Sequence, residues 1–127
     1  MYGHIGHTPG RPLACGRYEH CTFERGPMAI RLLESDPAFK GLPDEFTVME
    51  SHCGQIEFVP KGWRWIATNG PKGLTRIQCF RLPDAPVYAA QFHIEMEGTP
   101  EVSRRIMGNF LGEARAWQAR RHPKPGR

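Results

Sequence analysis

His93 and Glu95 stand two residues apart at the end of the apolar run 87–92, in the stretch Tyr88-Ala89-Ala90-Gln91-Phe92-His93-Ile94-Glu95. Side chains at i and i+2 of an extended chain point the same way. If 87–92 is a strand, an imidazole and a carboxylate emerge side by side where the backbone leaves the sheet, a pair suited to proton transfer. Open α/β sheets place their reacting groups at such strand ends. Taken alone the pair has a plain structural reading too, since most His and Glu residues so spaced belong to surfaces.

The elements that would carry this pair follow from periodicity and turn chemistry. Residues 28–33 suit a strand, and Ser35-Asp36-Pro37-Ala38-Phe39 has a cap followed by an early proline, as at the start of a short helical turn. Further strands are expected at 46–51, 63–67, 75–82 and 87–92, with a short extended segment at 55–59 and breaks at Pro60-Lys61-Gly62 and Pro83-Asp84-Ala85-Pro86. Five strands thus precede one helix. It starts with Thr99 as N-cap, Pro100 in the first turn and Glu101 at the positive end of the dipole. Val102, Ile106, Phe110, Leu111, Ala114 and Trp117 then repeat at helical spacing, an ordinary core-facing stripe. Residues 1–26 are rich in Gly, His and Pro, lack either hydrophobic period, and read as loop, with regular structure from Pro27.

Context gives the His93/Glu95 pair its meaning. The segment from Pro86 to Glu95, followed by a helix containing Gly108-Asn109-Phe110-Leu111, resembles the QFHPE signature of class I glutamine amidotransferases. Glu24-Arg25-Gly26, Asp36-Pro37-Ala38-Phe39-Lys40-Gly41-Leu42-Pro43, Met49-Glu50-Ser51-His52 and Val59-Pro60-Lys61-Gly62 fall in that family's order and approximate spacing. Several landmarks in order are far more specific than one pattern. The resemblance implies the C-terminal part of a flavodoxin-like, three-layer α/β domain, strand-rich with one long C-terminal helix. It divides the chain into an irregular segment 1–23, a partial amidotransferase domain 24–118 and a basic tail 119–127.

The family activity so implied is hydrolysis of the glutamine side-chain amide to glutamate and ammonia by a Cys-His-Glu triad. A free thiol, with a pKa near ~8.5, is mostly protonated at neutral pH, so a neighbouring imidazole must take its proton and later hand one to the departing amine. His93 fits that role and Glu95 would orient it; Ser51, His52 and Gln91 would lie at the substrate pocket, His52 hydrogen-bonding locally. Glutamine is the implied substrate, and the implied partners are an ammonia-accepting synthase or the missing N-terminal half. Ile94 stands where the family usually has proline and Ala90 where glycine is common; isoleucine holds an extended backbone well, whereas Ala90 crowds a close backbone approach.

The nucleophile is the difficulty. The family places it in a G-x-C-x-G elbow between a strand and a helix. In Leu13-Ala14-Cys15-Gly16-Arg17 glycine follows the cysteine directly, with no strand before or apolar helix after. Cys53 adjoins His52 in a turn and Cys79 lies inside a strand, and both read as structural thiols. The chain is therefore expected to be inactive alone and marginally stable or oligomeric, its sheet wanting cover. The alternatives are a non-catalytic binding or regulatory remnant, a γ-glutamyl hydrolase-type relative, or an enzyme rebuilt around Cys15 or Cys53.

Bulk composition narrows the rest. A chain of 127 residues with 39% hydrophobic content suits one compact domain. Its formal charge is +4, but residues 101–127 hold seven Lys/Arg against two Asp/Glu, so the basicity belongs to the tail. No aromatic interleaves with the charges of 120–127, so no stacking surface for nucleic acid is indicated and the tail reads as a solvated, frayed end. No apolar block suits a signal peptide or the ~20 residues of a membrane span, which places the chain in the cytoplasm with reduced thiols. His4, His7, Cys15, His20 and Cys21 could be imagined as zinc ligands, but their spacing matches no strong template, and neither a metal nor another cofactor is expected.

Overall fold

The computed structural model describes residues 24–52, 56, 58–69 and 77–126. Five strands, β1 (Glu24–Leu32), β2 (Glu45–His52), β3 (Arg64–Thr68), β4 (Ile77–Arg81) and β5 (Tyr88–Ala90), form one sheet in the order β2-β1-β3-β4-β5. Every pairing is antiparallel. A short 3-10 turn, Pro37–Phe39, and one helix, α1 (Pro100–Arg121), complete the described part. The strand content and the single helix agree with the expected strand-rich, single-helix architecture; the first strand begins three residues before the expected Pro27. No helix among the described residues is long and apolar enough to cross a membrane.

Alternation in β1 and β2 creates the inner face. Phe46, Val48 and Glu50 are buried while Glu45, Thr47 and Ser51 are exposed, the period of two that a half-buried strand requires. The register runs from Glu24↔His52 to Arg31↔Glu45, so Ile30 faces Phe46 and Met28 faces Val48. A one-residue slip would turn this whole set to solvent, which fixes the pairing. Ile30, Phe39, Val48, Ile66, Phe92 and Ile106 make one core. Burying each such side chain contributes about 1.5–3 kcal/mol.

The helix is fastened at both ends of its packed stretch. Asp36 caps the 3-10 turn by accepting from the Ala38 amide at 3.0 Å, and Asn109 donates to the carbonyls of Ala38 (3.0 Å) and Lys40 (2.8 Å). Farther along, Arg81 on β4 donates to Asp36 (2.9 Å) and to Glu113 on α1 (2.7 Å), while the Tyr88 hydroxyl of β5 donates to Asp36 at 2.8 Å and also meets Arg81 and Glu113. Burial pushes the Tyr88 phenol up, and its bonds to Glu113 and Asp36 push it the same way. Four elements thus meet at one buried ion-pair network, in which each charge depends on the others for compensation.

The apolar stripe of α1 is partly as expected. Ile106 is buried, and Val102, Phe110, Ala114 and Trp117 are half-buried, but Leu111 is 44% exposed. Thr99 stands at the N-cap, yet its side chain makes no cap bond; its carbonyl accepts from the Ser103 amide at 3.0 Å. Arg120 and Arg121, expected in a frayed tail, belong to the last helical turn, and Arg121 lies over the Trp117 ring at 4.8 Å. Cations there complement the helix dipole.

Candidate active site

β5 ends at Ala90, and the chain then swings across to β2. Gln91 donates its amide to the Gln78 carbonyl at 2.8 Å, and two residues later the His93 amide donates to the Met49 carbonyl at 2.9 Å in an isolated antiparallel bridge. The backbone of His93 is thereby held to β2 on the far side of the sheet order from β5. Gly98, at φ +129°, packs against Met49 so closely that a Cβ there would collide with the Met49 side chain. Glycine at 98 lets the turn before α1 sit on the residue that anchors His93.

From this anchor the imidazole reaches two partners. Nδ1 lies 2.6 Å from Glu95 Oε1, and Nε2 lies 3.3 Å from the Ser51 carbonyl oxygen. A carboxylate on Nδ1 fixes the tautomer in which Nδ1–H donates, leaving the Nε2 lone pair as the basic position. The His93 side chain is 33% exposed and the Glu95 side chain 70% exposed, so the pair stands at the surface, with Nε2 beside the Ser51 carbonyl. Hydrogen bonding from His93 holds the Glu95 carboxyl below its ordinary range. The carboxylate is therefore charged at neutral pH and able to accept from Nδ1–H.

The expected pocket residues fall on three different surfaces. Ser51 is exposed at the end of β2 and presents its carbonyl, not its hydroxyl, to His93. Gln91 is half-buried, and its Oε1 is buried without a hydrogen-bond partner. His52 turns away from His93, because adjacent strand residues point to opposite faces. Its Nε2 lies 2.9 Å from Glu24 Oε2 across the β1–β2 pair and 3.1 Å from Glu50 Oε2 on its own strand. Cys15, Cys21, Cys53, His4, His7 and His20 lie outside the described residues. Cys79 is buried in β4, and burial followed by the nearby Asp36 pushes its thiol far up, so it is no thiolate source.

Glu24 and Glu50 entered the sequence reading only as parts of family landmarks, not as candidate site residues. A signal was nonetheless there: Glu50 shares the strand parity of Phe46 and Val48, which puts a carboxylate on the apolar face. Between the 3-10 turn, β5 and α1 there is also an apolar cleft of about 410 Å³, lined by Phe39, Tyr88, Phe92, Ile94, Ile106 and Phe110 among others. Val87 and Met107 on its rim are exposed.

Comparison with known proteins places this geometry in a family. The chain is 35% identical over 89 residues to a subunit of the glutamine-hydrolyzing GMP synthase of Thermoplasma acidophilum, covering 70% of this chain and 42% of that one. It is 30% identical over 101 residues to the corresponding subunit of Methanosarcina barkeri, covering 78% of this chain and 51% of that one. A crystal structure of a protein from Thermoplasma acidophilum, described as a GMP synthase subunit, superposes with a TM-score of 0.70 at 30% identity, over 80% of this chain and 50% of the other. The chain thus spans about half the length of these relatives. The family model described as glutamine amidotransferase class-I matches residues 13–113, and with the fold and the ordered motifs around His93 in agreement, this chain belongs to the class I glutamine amidotransferases.

Proposed function

We propose that this chain supplies the general base and its orienting carboxylate for glutamine amide hydrolysis, and that the cysteine nucleophile comes from a segment outside these residues. The observation that carries the reading is the 2.6 Å contact between His93 Nδ1 and Glu95 Oε1, on a backbone tied to β2 through Met49. His93 Nε2 takes the thiol proton, and the thiolate attacks the side-chain carbonyl carbon of glutamine. The same nitrogen returns the proton to the leaving ammonia as the C–N bond breaks, which leaves a γ-glutamyl thioester. Water, deprotonated by His93, then cleaves the thioester to glutamate and regenerates the thiol. While Nε2 holds the proton, Nε2–H has the Ser51 carbonyl as a ready acceptor and Nδ1–H stays on Glu95.

Within these 127 residues no cysteine sits in G-x-C-x-G, and the chain alone is therefore expected not to turn over glutamine. Because its relatives are subunits named for glutamine hydrolysis in GMP synthesis, the ammonia acceptor we favour is a synthase partner in the cytoplasm. Co-expression with the cysteine-bearing N-terminal half of such a relative, followed by glutamate release, tests this: the pair should be active, and His93→Ala should silence it. A pair as active with His93→Ala as without it would refute the assignment.

A second reading rests on the apolar cleft, whose exposed rim residues Val87 and Met107 suit a protein partner. On that reading the chain is a binding remnant. Stable capture of the same partner by wild type and His93→Ala, with no glutaminase in the complex, would favour it.

A further inference from the structure

At the end of the inner face of β1 and β2 the apolar alternation gives way to three ionisable side chains. Glu24, Glu50 and His52 each present one ligand atom, and these atoms lie within 4.8 Å of one another. Both carboxylate side chains are fully buried and the imidazole is 9% exposed. His52 Nε2 sits 2.9 Å from Glu24 and 3.1 Å from Glu50. One ring nitrogen carries at most one proton and can donate to only one of the two oxygens. The better-aligned bond goes to Glu24. Both oxygens of Glu50 are then buried with no hydrogen-bond donor among the described residues.

Such an orphan requires an explanation, because a buried carboxylate without a donor is rare in native proteins. A second unpartnered oxygen lies close by: Asn69 donates its amide nitrogen to Glu24 Oε1 at 3.0 Å while its own Oδ1 is buried without a partner. The strand position paired with Glu50 is Gly26, where a Cβ would meet no atom within 4 Å, so no side chain fills the space across from the orphan. A cation in place of the shared proton would serve all three ligands at once. Two metal–ligand bonds of ~2.1 Å meeting near a right angle hold their ligand atoms ~3 Å apart, close to the separations already present.

We propose that Glu24, Glu50 and His52 form a binding site for a divalent first-row transition cation. One imidazole with two carboxylates suits Mn²⁺, Fe²⁺ or Zn²⁺ better than the all-oxygen preference of Ca²⁺ or Mg²⁺. The site is distinct from the His93/Glu95 pair, but it is joined to it through one peptide: His52 is the ligand and the Ser51 carbonyl is the contact to His93. A bound cation fixes the end of β2 and with it the carbonyl that meets Nε2. It acts on the base by position and takes no part in bond making.

Mn²⁺ is the probe, because its preference for oxygen and nitrogen keeps it off the four thiols of the chain. Chelator-treated full chain is titrated with Mn²⁺ alone and followed by electron paramagnetic resonance and by thermal unfolding. The expected result is one equivalent bound, with a rise in Tm that grows with free Mn²⁺. Glu50→Gln, which keeps shape and removes the charge, should weaken binding on the order of tenfold or more while the metal-free protein melts no lower than wild type. Glu24→Gln should weaken Mn²⁺ binding as well, which guards against a folding defect in one variant. Absence of Mn²⁺ binding by the folded wild type, or binding of equal strength by Glu50→Gln, would overturn the site. Neither outcome touches the glutaminase reading, which is measured by glutamate release.

Discussion

Two histidine–carboxylate pairs lie back to back at the end of β2, and they differ in almost every physical respect. His93 and Glu95 are local in sequence, 33% and 70% exposed, and held mainly by the backbone bond from His93 to Met49. His52 and Glu24 are separated by 28 residues, 9% and 0% exposed, and joined across strands with Glu50 as a third member. The exposed pair has room for an incoming proton donor and little consequence for folding. The buried group has no room for substrate, and its charges were removed from water when the sheet formed. The same two residue types thus sit exposed or buried according to which face of one strand end they meet.

Breaking the exposed pair should produce the largest effect, and on activity alone. In the reconstituted glutaminase, His93→Ala is expected to lower kcat by about 10²–10⁴-fold, the range of a lost general acid–base, with urea unfolding of the chain almost unchanged. The buried group should answer in the opposite way. Glu24→Ala removes the carboxylate that meets both His52 and Asn69, leaving His52 beside Glu50 alone, and is expected to cost about 3–5 kcal/mol in urea denaturation, as breaking a buried pair does. If Glu24→Ala and Glu95→Ala were equally mild, burial would not be what separates the two.

A substitution at neither pair sharpens the comparison further. Gly98→Ala forces a side chain against Met49 at a backbone angle that only glycine adopts freely, and should cost about 1–3 kcal/mol. Because Met49 anchors His93, the reconstituted enzyme should also lose kcat, whereas a purely structural defect would lower the melting temperature and leave the turnover of the folded fraction intact.

The smallest effect is expected at Glu95. Its folded pKa is depressed, so its contribution to stability is present above the ordinary carboxylate range and is lost as the pH falls through the lowered value. At a side chain this exposed, solvent screening leaves well under ~1 kcal/mol. Comparing the acid limb of stability for wild type and Glu95→Gln should show curves that separate slightly above the carboxylate range and merge below it. Raising salt should narrow the gap further.

Much of this was legible in the sequence, for reasons that differ by region. The His93/Glu95 pair stood out by its i, i+2 spacing, although the expected strand 87–92 is only Tyr88–Ala90 and the pair lies in the bend beyond it; the helix follows from Pro100, Glu101 and a stripe of apolar residues. Local patterns of that kind need no knowledge of the rest of the chain. The Arg81 network was not legible, since its partners Asp36 and Glu113 lie 45 and 32 residues away in sequence and only the folded sheet brings them together. Glu50 occupies an intermediate case. Its parity with Phe46 and Val48 marked it as inward-facing, but a charged residue in a strand is ordinarily read as solvent-facing, and its place beside Glu24 depends on a register that strand sequences alone leave open. Leu111 erred in the other direction, an apolar position in phase with the stripe that is left 44% exposed.

If His93 and Glu95 are two members of a triad, the third lies outside these residues and can be supplied. The deciding experiment combines a glutamine-like electrophile with a glutamate-release assay, on the chain alone and on the chain joined by a cysteine-bearing half from a relative. No labelling and no turnover are expected of the chain alone, then labelling of the added cysteine with His93-dependent turnover in the pair. Stoichiometric labelling of one of the chain's own cysteines, with glutamate released in the absence of any partner, would contradict the triad so divided and name a different nucleophile.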